Sequence, residues 1–205
     1  MSAEEWKIGV FGSFATGRSK IIEVFVQGTI STGGEDIMDS YKKKMQINDK
    51  TITLEIFDSV PNKIYLPEES PKESKTFNGL DNLCCLHWIK SAKGFIIIYS
   101  IDDRETFNNV KDFYKVITKT KGRTKIPLVI CGNKCDLEDK REVYKEEGEN
   151  LAMSLGAIFF ETSVFRNIHI DDAFNALVNE MMNDPTISED LSPTKTKHKV
   201  KCNIY

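Results

Sequence analysis

Two apolar runs of strand length each end in a short motif, and a fold that uses both motifs has to bring the two ends together. The first run, Trp6 to Phe11, leads into Gly12-Ser13-Phe14-Ala15-Thr16-Gly17-Arg18-Ser19 and then into Lys20 to Val26, which reads as a helix. Strand, glycine loop and helix is the order a phosphate-binding loop needs. Loop N–H groups and the helix N-terminus together supply partial positive charge to the phosphates. The second run, Ile126 to Gly132, leads into Asn133-Lys134-Cys135-Asp136. In an open α/β sheet, ligands bind beyond the carboxyl ends of the strands. A carboxylate placed there accepts a pair of N–H bonds from one edge of guanine that adenine does not offer. A lone glycine loop is a common coincidence; two such motifs in this order, each at a strand end, are not.

Composition narrows the class. The chain has 205 residues, 40% hydrophobic and 29% charged, as expected for one soluble globular core of ordinary size plus a tail. A net charge of −3 gives no general reason to expect nucleic acid. No stretch is long and apolar enough to span a membrane, and the acidic start Met1-Ser2-Ala3-Glu4-Glu5 is no signal peptide. Cys84, Cys85, Cys131, Cys135 and Cys202 are odd in number and lack metal-ligand spacing, which suits a reducing compartment. His169 and His198 have no partner visible in sequence and receive no chemistry.

Strands and helices alternate. Lys42 to Ile47 and Ile52 to Phe57 flank Asn48-Asp49-Lys50-Thr51, a hairpin signal. Gly94 to Ile101 is a continuous apolar run, expected for a strand buried on both faces. A helix is expected to open at Thr106-Phe107 with Phe107, Val110, Phe113 and Ile117 on one side, and a shorter one to run from Glu146 to Leu155. Ala157 to Phe160 reads as the last strand. Ile170, Ala173, Phe174, Leu177, Val178, Met181 and Met182 then follow helical spacing and form a core-facing stripe. The expected architecture is a mostly parallel six-stranded sheet with helices on both faces.

From about Trp6 to Met182 the chain resembles the Ras superfamily, and within it the Ras/Rap branch. The residues that carry the resemblance include Glu35 to Lys43, Leu54-Glu55-Ile56-Phe57-Asp58, Tyr99-Ser100-Ile101 with Thr106-Phe107-Asn108, Gly132 to Asp139, and Glu161-Thr162-Ser163. The resemblance implies an α/β P-loop NTPase of G-domain type that binds GTP and GDP with Mg²⁺. It implies a nucleotide site of Gly12, Phe14, Ala15, Thr16, Gly17, Arg18, Ser19 and Lys20 with Asn133, Lys134 and Asp136. Ser163 is expected to steady Asp136, and the N–H that follows it, on Val164, to meet the guanine oxygen. Ser19, Asp36 and, through water, Asp58 are the implied metal ligands.

The sequence departs from the family's pattern at several of these places. Arg18 stands where the loop wants Lys. In the first switch Asp36 aligns with a Thr that binds Mg²⁺ and meets the γ-phosphate, and Ile30 with an aromatic that lies against the base. The second switch reads Asp58-Ser59-Val60-Pro61-Asn62 in place of Asp-Thr-Ala-Gly-Gln. Pro61 has no N–H to offer the γ-phosphate. Asn62, a weak substitute for the catalytic Gln, is one methylene short of orienting the attacking water. Phe14 occupies a normally glycine position close to that water. The segment after Pro61 is longer than the family's and carries a polar, proline-bearing stretch from Pro67 to Lys75. It reads as a surface insert around 61–90, at least as well explained by tolerated expansion as by a partner site. His87 and Trp88 are expected to pack on the core.

Residues 1–183 thus read as a Ras-like G domain and 184–205 as a flexible basic tail. The tail holds Lys195, Lys197, Lys199 and Lys201 and ends Cys202-Asn203-Ile204-Tyr205, which resembles a prenylation box on Cys202 apart from its final Tyr. Four lysines near an anionic leaflet give on the order of 4 kcal/mol, and a basic patch plus one lipid chain makes a two-signal anchor. The expected function is a Ras/Rap-like small GTPase, a membrane-associated molecular switch in signal transduction with slow hydrolysis. A non-hydrolysing, nucleotide-locked adaptor is the alternative, and an ATP-using enzyme is disfavoured by Asp136. Expected partners are guanine nucleotide, effector and exchange-factor proteins and the cytoplasmic membrane surface, with no nucleic acid. The expected state is a monomer, lipid-anchored at the plasma membrane or an endomembrane and otherwise cytosolic.

Overall fold

The computed structural model describes residues 4–30, 40–47, 50–58 and 79–188. Strands β1 (Glu4–Gly12), β2 (Ser40–Ile47), β3 (Lys50–Asp58), β4 (Gly94–Ser100), β5 (Leu128–Asn133) and β6 (Ile158–Glu161) form one sheet. Its order is β2-β3-β1-β4-β5-β6. β2 and β3 pair antiparallel, and all other neighbours are parallel. The hairpin expected around Asn48-Asp49 is present in the register Ile47↔Lys50. Helices α1 (Arg18–Gln27), α2 (Gly79–Ser91), α3 (Arg104–Asn108), α4 (Val110–Lys121), α5 (Lys145–Leu155), α6 (Ile170–Asn183) and α7 (Pro185–Ser188) complete the fold.

The sheet separates two apolar layers. β4 and β5 are buried at every position, as parallel strands covered on both faces must be. Side chains alternate between the faces. Phe95, Ile97 and Tyr99 join Phe11, Phe113 and Ile117 on one side. Ile96 and Ile98 join Ile22, Phe25, Phe174 and Leu177 on the other. α1 and α6 are locked together by Phe25 stacked on Phe174, with ring centroids 3.8 Å apart. The α6 stripe is buried as its spacing requires, with Met182 half-buried at its margin. Edge strand β2 carries Lys42, Lys43 and Lys44, charges that discourage pairing with another chain. Lys43 lies over the Phe25 ring at 3.8 Å and donates to the Phe25 carbonyl.

Four expectations need correction. The helix placed at Thr106 opens earlier, at Arg104, because Asp103 caps it by accepting from the N–H groups of Glu105 (2.9 Å) and Thr106 (3.3 Å); apolar spacing locates a stripe, not a cap. The part of the presumed surface insert from Gly79 onward is helix α2. Its buried residues include Cys85, Leu86 and Ile89, and in the sequence GLDNLCCLHWIKS the polar and apolar residues are interleaved. His87 is exposed rather than packed, whereas Trp88 is half-buried and stacks on Phe57 at 4.8 Å. Ordered chain also continues past Asp184: Arg123 binds Asp184 at 3.0 Å, and Ile187 of α7 is buried.

One ion pair joins distant segments at the surface. Arg104 reaches Glu147 through two bonds, 2.6 and 2.9 Å, and Glu147 also accepts from the Tyr144 N–H at 3.0 Å. The Arg104 bonds, and then the Tyr144 N–H, pull the Glu147 carboxyl from 4.5 down to about 2. A lowered carboxyl pKa stabilises the fold above 4.5, and that contribution is lost as pH falls toward 2. Both side chains are more than a third exposed, so solvent screening limits the pair to about 1 kcal/mol. Arg104→Ala is therefore expected to lower urea stability by about 1 kcal/mol at neutral pH, with the gap between variant and wild type closing on acidification. A gap that is the same at pH 7 and near pH 2 contradicts this.

Candidate functional site

β1 delivers a buried backbone to the glycine loop, and the loop is held by its own bonds. The Thr16 hydroxyl, buried, donates to the Ser13 carbonyl at 2.9 Å. Ser13 Oγ accepts from Asn109 Nδ2 at 3.1 Å. Ala15 and Gly17 have φ of 61° and 81°, a conformation that glycine adopts without strain. Gly17 precedes α1 and gives it no side-chain cap, and the first turn holds no acidic residue. The helix N-terminus therefore keeps its donors and its positive end for an anion.

The carboxyl end of β5 meets this loop directly. Asn133, buried, donates from Nδ2 to the Thr16 carbonyl at 2.8 Å and accepts on Oδ1 from the Thr162 hydroxyl at 3.1 Å. One side chain thus ties the phosphate loop, β5 and the loop after β6 together. Lys134 sits at φ 64° with Nζ 3.2 Å from Asp102 Oδ1. The Cys135 N–H donates to the Thr162 carbonyl at 3.1 Å. Ser163 Oγ donates to Asp136 Oδ1 at 2.5 Å and accepts from the Arg166 N–H at 3.0 Å. Asp136 is therefore fixed by a hydroxyl while keeping the rest of its carboxylate for a ligand. Burial alone pushes the Cys131 thiol up to about 12, so that cysteine is packing rather than chemistry.

Close approach and a positive φ together make Gly17 hard to replace. A Cβ on it would lie 2.5 Å from Asn133 Nδ2. Gly17→Val adds a positive-φ penalty of about 1–3 kcal/mol and displaces the Asn133 clamp. The expected result is a lower urea midpoint together with loss of nucleotide binding; an unchanged midpoint contradicts it.

Arg18 does not point freely out of the loop. Its Nε donates to Asp58 Oδ1, and its Nη1 donates to the Gly12 carbonyl at 2.5 Å. Both side chains of the pair are largely buried, 12% and 8% exposed. Asp58 ends β3 opposite Val10 of β1, so the guanidinium bridges two strand ends beneath the loop. This bears on Mg²⁺. Asp58 is the described carboxylate expected to face the metal's water shell, and a cation already holds it. Ser19 is exposed and offers a single hydroxyl. Among the described residues no group of three His, Cys, Asp or Glu side chains could hold a metal. As arranged, Asp58 is held by Arg18 rather than left open to the water shell of Mg²⁺.

The remaining expected residues are placed as follows. Lys20 pairs at 2.9 Å with Glu23, itself buried, so its backbone N–H rather than its ammonium serves the helix N-terminus. Phe14 is 80% and Ile30 42% exposed. Val164 is half-buried against the α1/α6 layer. Asp36, Ser59, Val60, Pro61, Asn62 and Cys202 lie outside the described residues. Sequence reasoning missed Asn109 and Asp102, which brace the loop and Lys134 with no local signal.

A mostly parallel six-stranded sheet, a glycine loop between its first strand and helix, and an Asn-Lys-x-Asp motif at the end of β5 define a P-loop fold of G-domain type. The family model for the Ras family matches residues 81–183, half of the chain. The chain belongs to the Ras family of small GTPases. The matched span includes β4, β5 and the base-side loops; the glycine loop and Asp58 precede it.

Proposed function

We propose that this protein is a guanine-nucleotide switch of Ras/Rap type that acts at the cytoplasmic face of a membrane and hydrolyses GTP slowly. The observation that carries the reading is the Ser163–Asp136 bond on the same frame as the Asn133–Thr16 bond. A base-selecting carboxylate and a phosphate loop are braced by one hydrogen-bonded network.

In this reading Asp136 accepts from guanine, the Val164 N–H meets the guanine oxygen, and Lys134 lies along the base. The loop N–H groups from Ala15 to Lys20 hold the phosphates, helped by the Arg18 Nη2 that has no partner among the described residues. Asn62 and Pro61 leave the water and the γ-phosphate poorly held. A second reading, a nucleotide-locked adaptor that does not hydrolyse, is favoured by Pro61 and by the Arg18–Asp58 pair. Both readings share the base site. Competition against a fluorescent GDP tests it: GTP and GDP are expected to displace the probe and ATP to fail. Equal displacement by ATP refutes the guanine reading.

Membrane attachment rests on Cys202 and the lysines before it. Cys202→Ser is expected to move the protein from membrane to cytosol in cell fractionation, and replacing the four lysines to do so in part. A mass spectrum of cell-derived protein with an unmodified Cys202 and all three following residues contradicts attachment.

A further inference from the structure

The Arg18–Asp58 pair sits where a Ras-type site would place a carboxylate at the service of a metal ion. We propose that the Arg18 guanidinium takes over the charge compensation at Asp58, so that this chain holds guanine nucleotide with little dependence on Mg²⁺. The proposal rests on the guanine-nucleotide reading above and adds to it the cation that accompanies the nucleotide.

The case is geometric. The pair is formed through Nε, and Nη1 is bonded to the Gly12 carbonyl. The guanidinium is thereby locked in plane by a strand-end carboxylate on one side and the loop backbone on the other. A lysine ammonium is a single compact point charge, whereas the planar fork can hold a carboxylate and a carbonyl through separate nitrogens. For Mg²⁺ to use Asp58, the pair must open. That would leave the largely buried Arg18 guanidinium without its carboxylate, which is unfavourable. Mg²⁺ demands near-ideal octahedral geometry and draws on carboxylates beside phosphates and waters, and among the described residues the carboxylate expected to serve it, Asp58, is taken by Arg18. The departure from Lys at position 18 is thus one half of an exchange, with the free metal-facing carboxylate as the other half.

The test uses the full-length protein loaded with fluorescent GDP. Its release is followed in excess unlabelled GDP, with Mg²⁺ present or removed by EDTA. The expected result is a change in release rate of less than about tenfold. Acceleration of tenfold or more by EDTA overturns the proposal and points to Asp36 or another residue as a metal ligand. Arg18→Lys is expected to bring the EDTA effect above tenfold, because the ammonium cannot bridge Asp58 and the Gly12 carbonyl as the fork does. The wild-type comparison stands even if that variant does not fold, and an Arg18→Lys protein as indifferent to EDTA as wild type also overturns it. Failure to load guanine nucleotide in either buffer is a separate outcome, which removes the guanine reading and this proposal with it.

Discussion

Asp136→Asn is expected to weaken GTP and GDP by about 3 kcal/mol, roughly a hundredfold, while opening the site to xanthine nucleotides. Ser163 Oγ donates to Asp136 Oδ1, so the oxygen of an introduced amide takes that bond and its NH₂ turns to the base. There it faces the donors of guanine, and donor meets donor. Xanthine carries an oxygen where guanine has its amino group, and the amide can donate to it. Competition binding of GTP and XTP to wild type and variant measures the exchange. Unchanged GTP affinity in the variant would mean that Asp136 does not read the base.

GTP hydrolysis is expected to run about 10²–10³-fold slower than in an ordinary Ras-like protein, because one donor to the γ-phosphate is missing. Pro61 cannot donate an N–H, and Asn62 falls one methylene short of the position from which a glutamine orients water. In the proposed reading Phe14, 80% exposed at the loop, would stand in the approach of an activating protein's arginine, so little stimulation is expected. Single-turnover loss of GTP from the loaded protein gives the rate. A rate at or above that of an ordinary Ras-like protein would mean that another residue supplies the missing group.

Sequence made most of the sheet legible, for a physical reason. A strand buried on both faces must be apolar throughout, so Gly94 to Ser100 stands out on its own, and the seven positions of that strand are all buried. α6 shows through its stripe from Ile170 to Met181. α2 does not show, because its apolar residues are interleaved with polar ones and it follows a polar stretch. The ends of α3 and α7 depend on caps and single contacts, such as Asp103 and Ile187, that leave no periodic trace.

Much of the site was legible as motif but not as mutual geometry. The Asn133-Lys134-Cys135-Asp136 run marks a strand end, yet nothing local says that Asn133 reaches Thr16, 117 residues away. The bond between Asn109 and Ser13 is equally silent. Arg18 and Asp58 could each be singled out, one as a phosphate-loop cation and one as a carboxylate near a metal. That they hold each other becomes apparent only when β1 and β3 are laid side by side.

The base-site network stands or falls most directly on what the protein carries. Nucleotide released by denaturing the freshly purified full-length chain, separated and identified by mass, is expected to be GDP or GTP with no adenine nucleotide. Recovery of adenine nucleotide, or a chain that emerges empty and takes up no guanine nucleotide afterwards, would contradict the account.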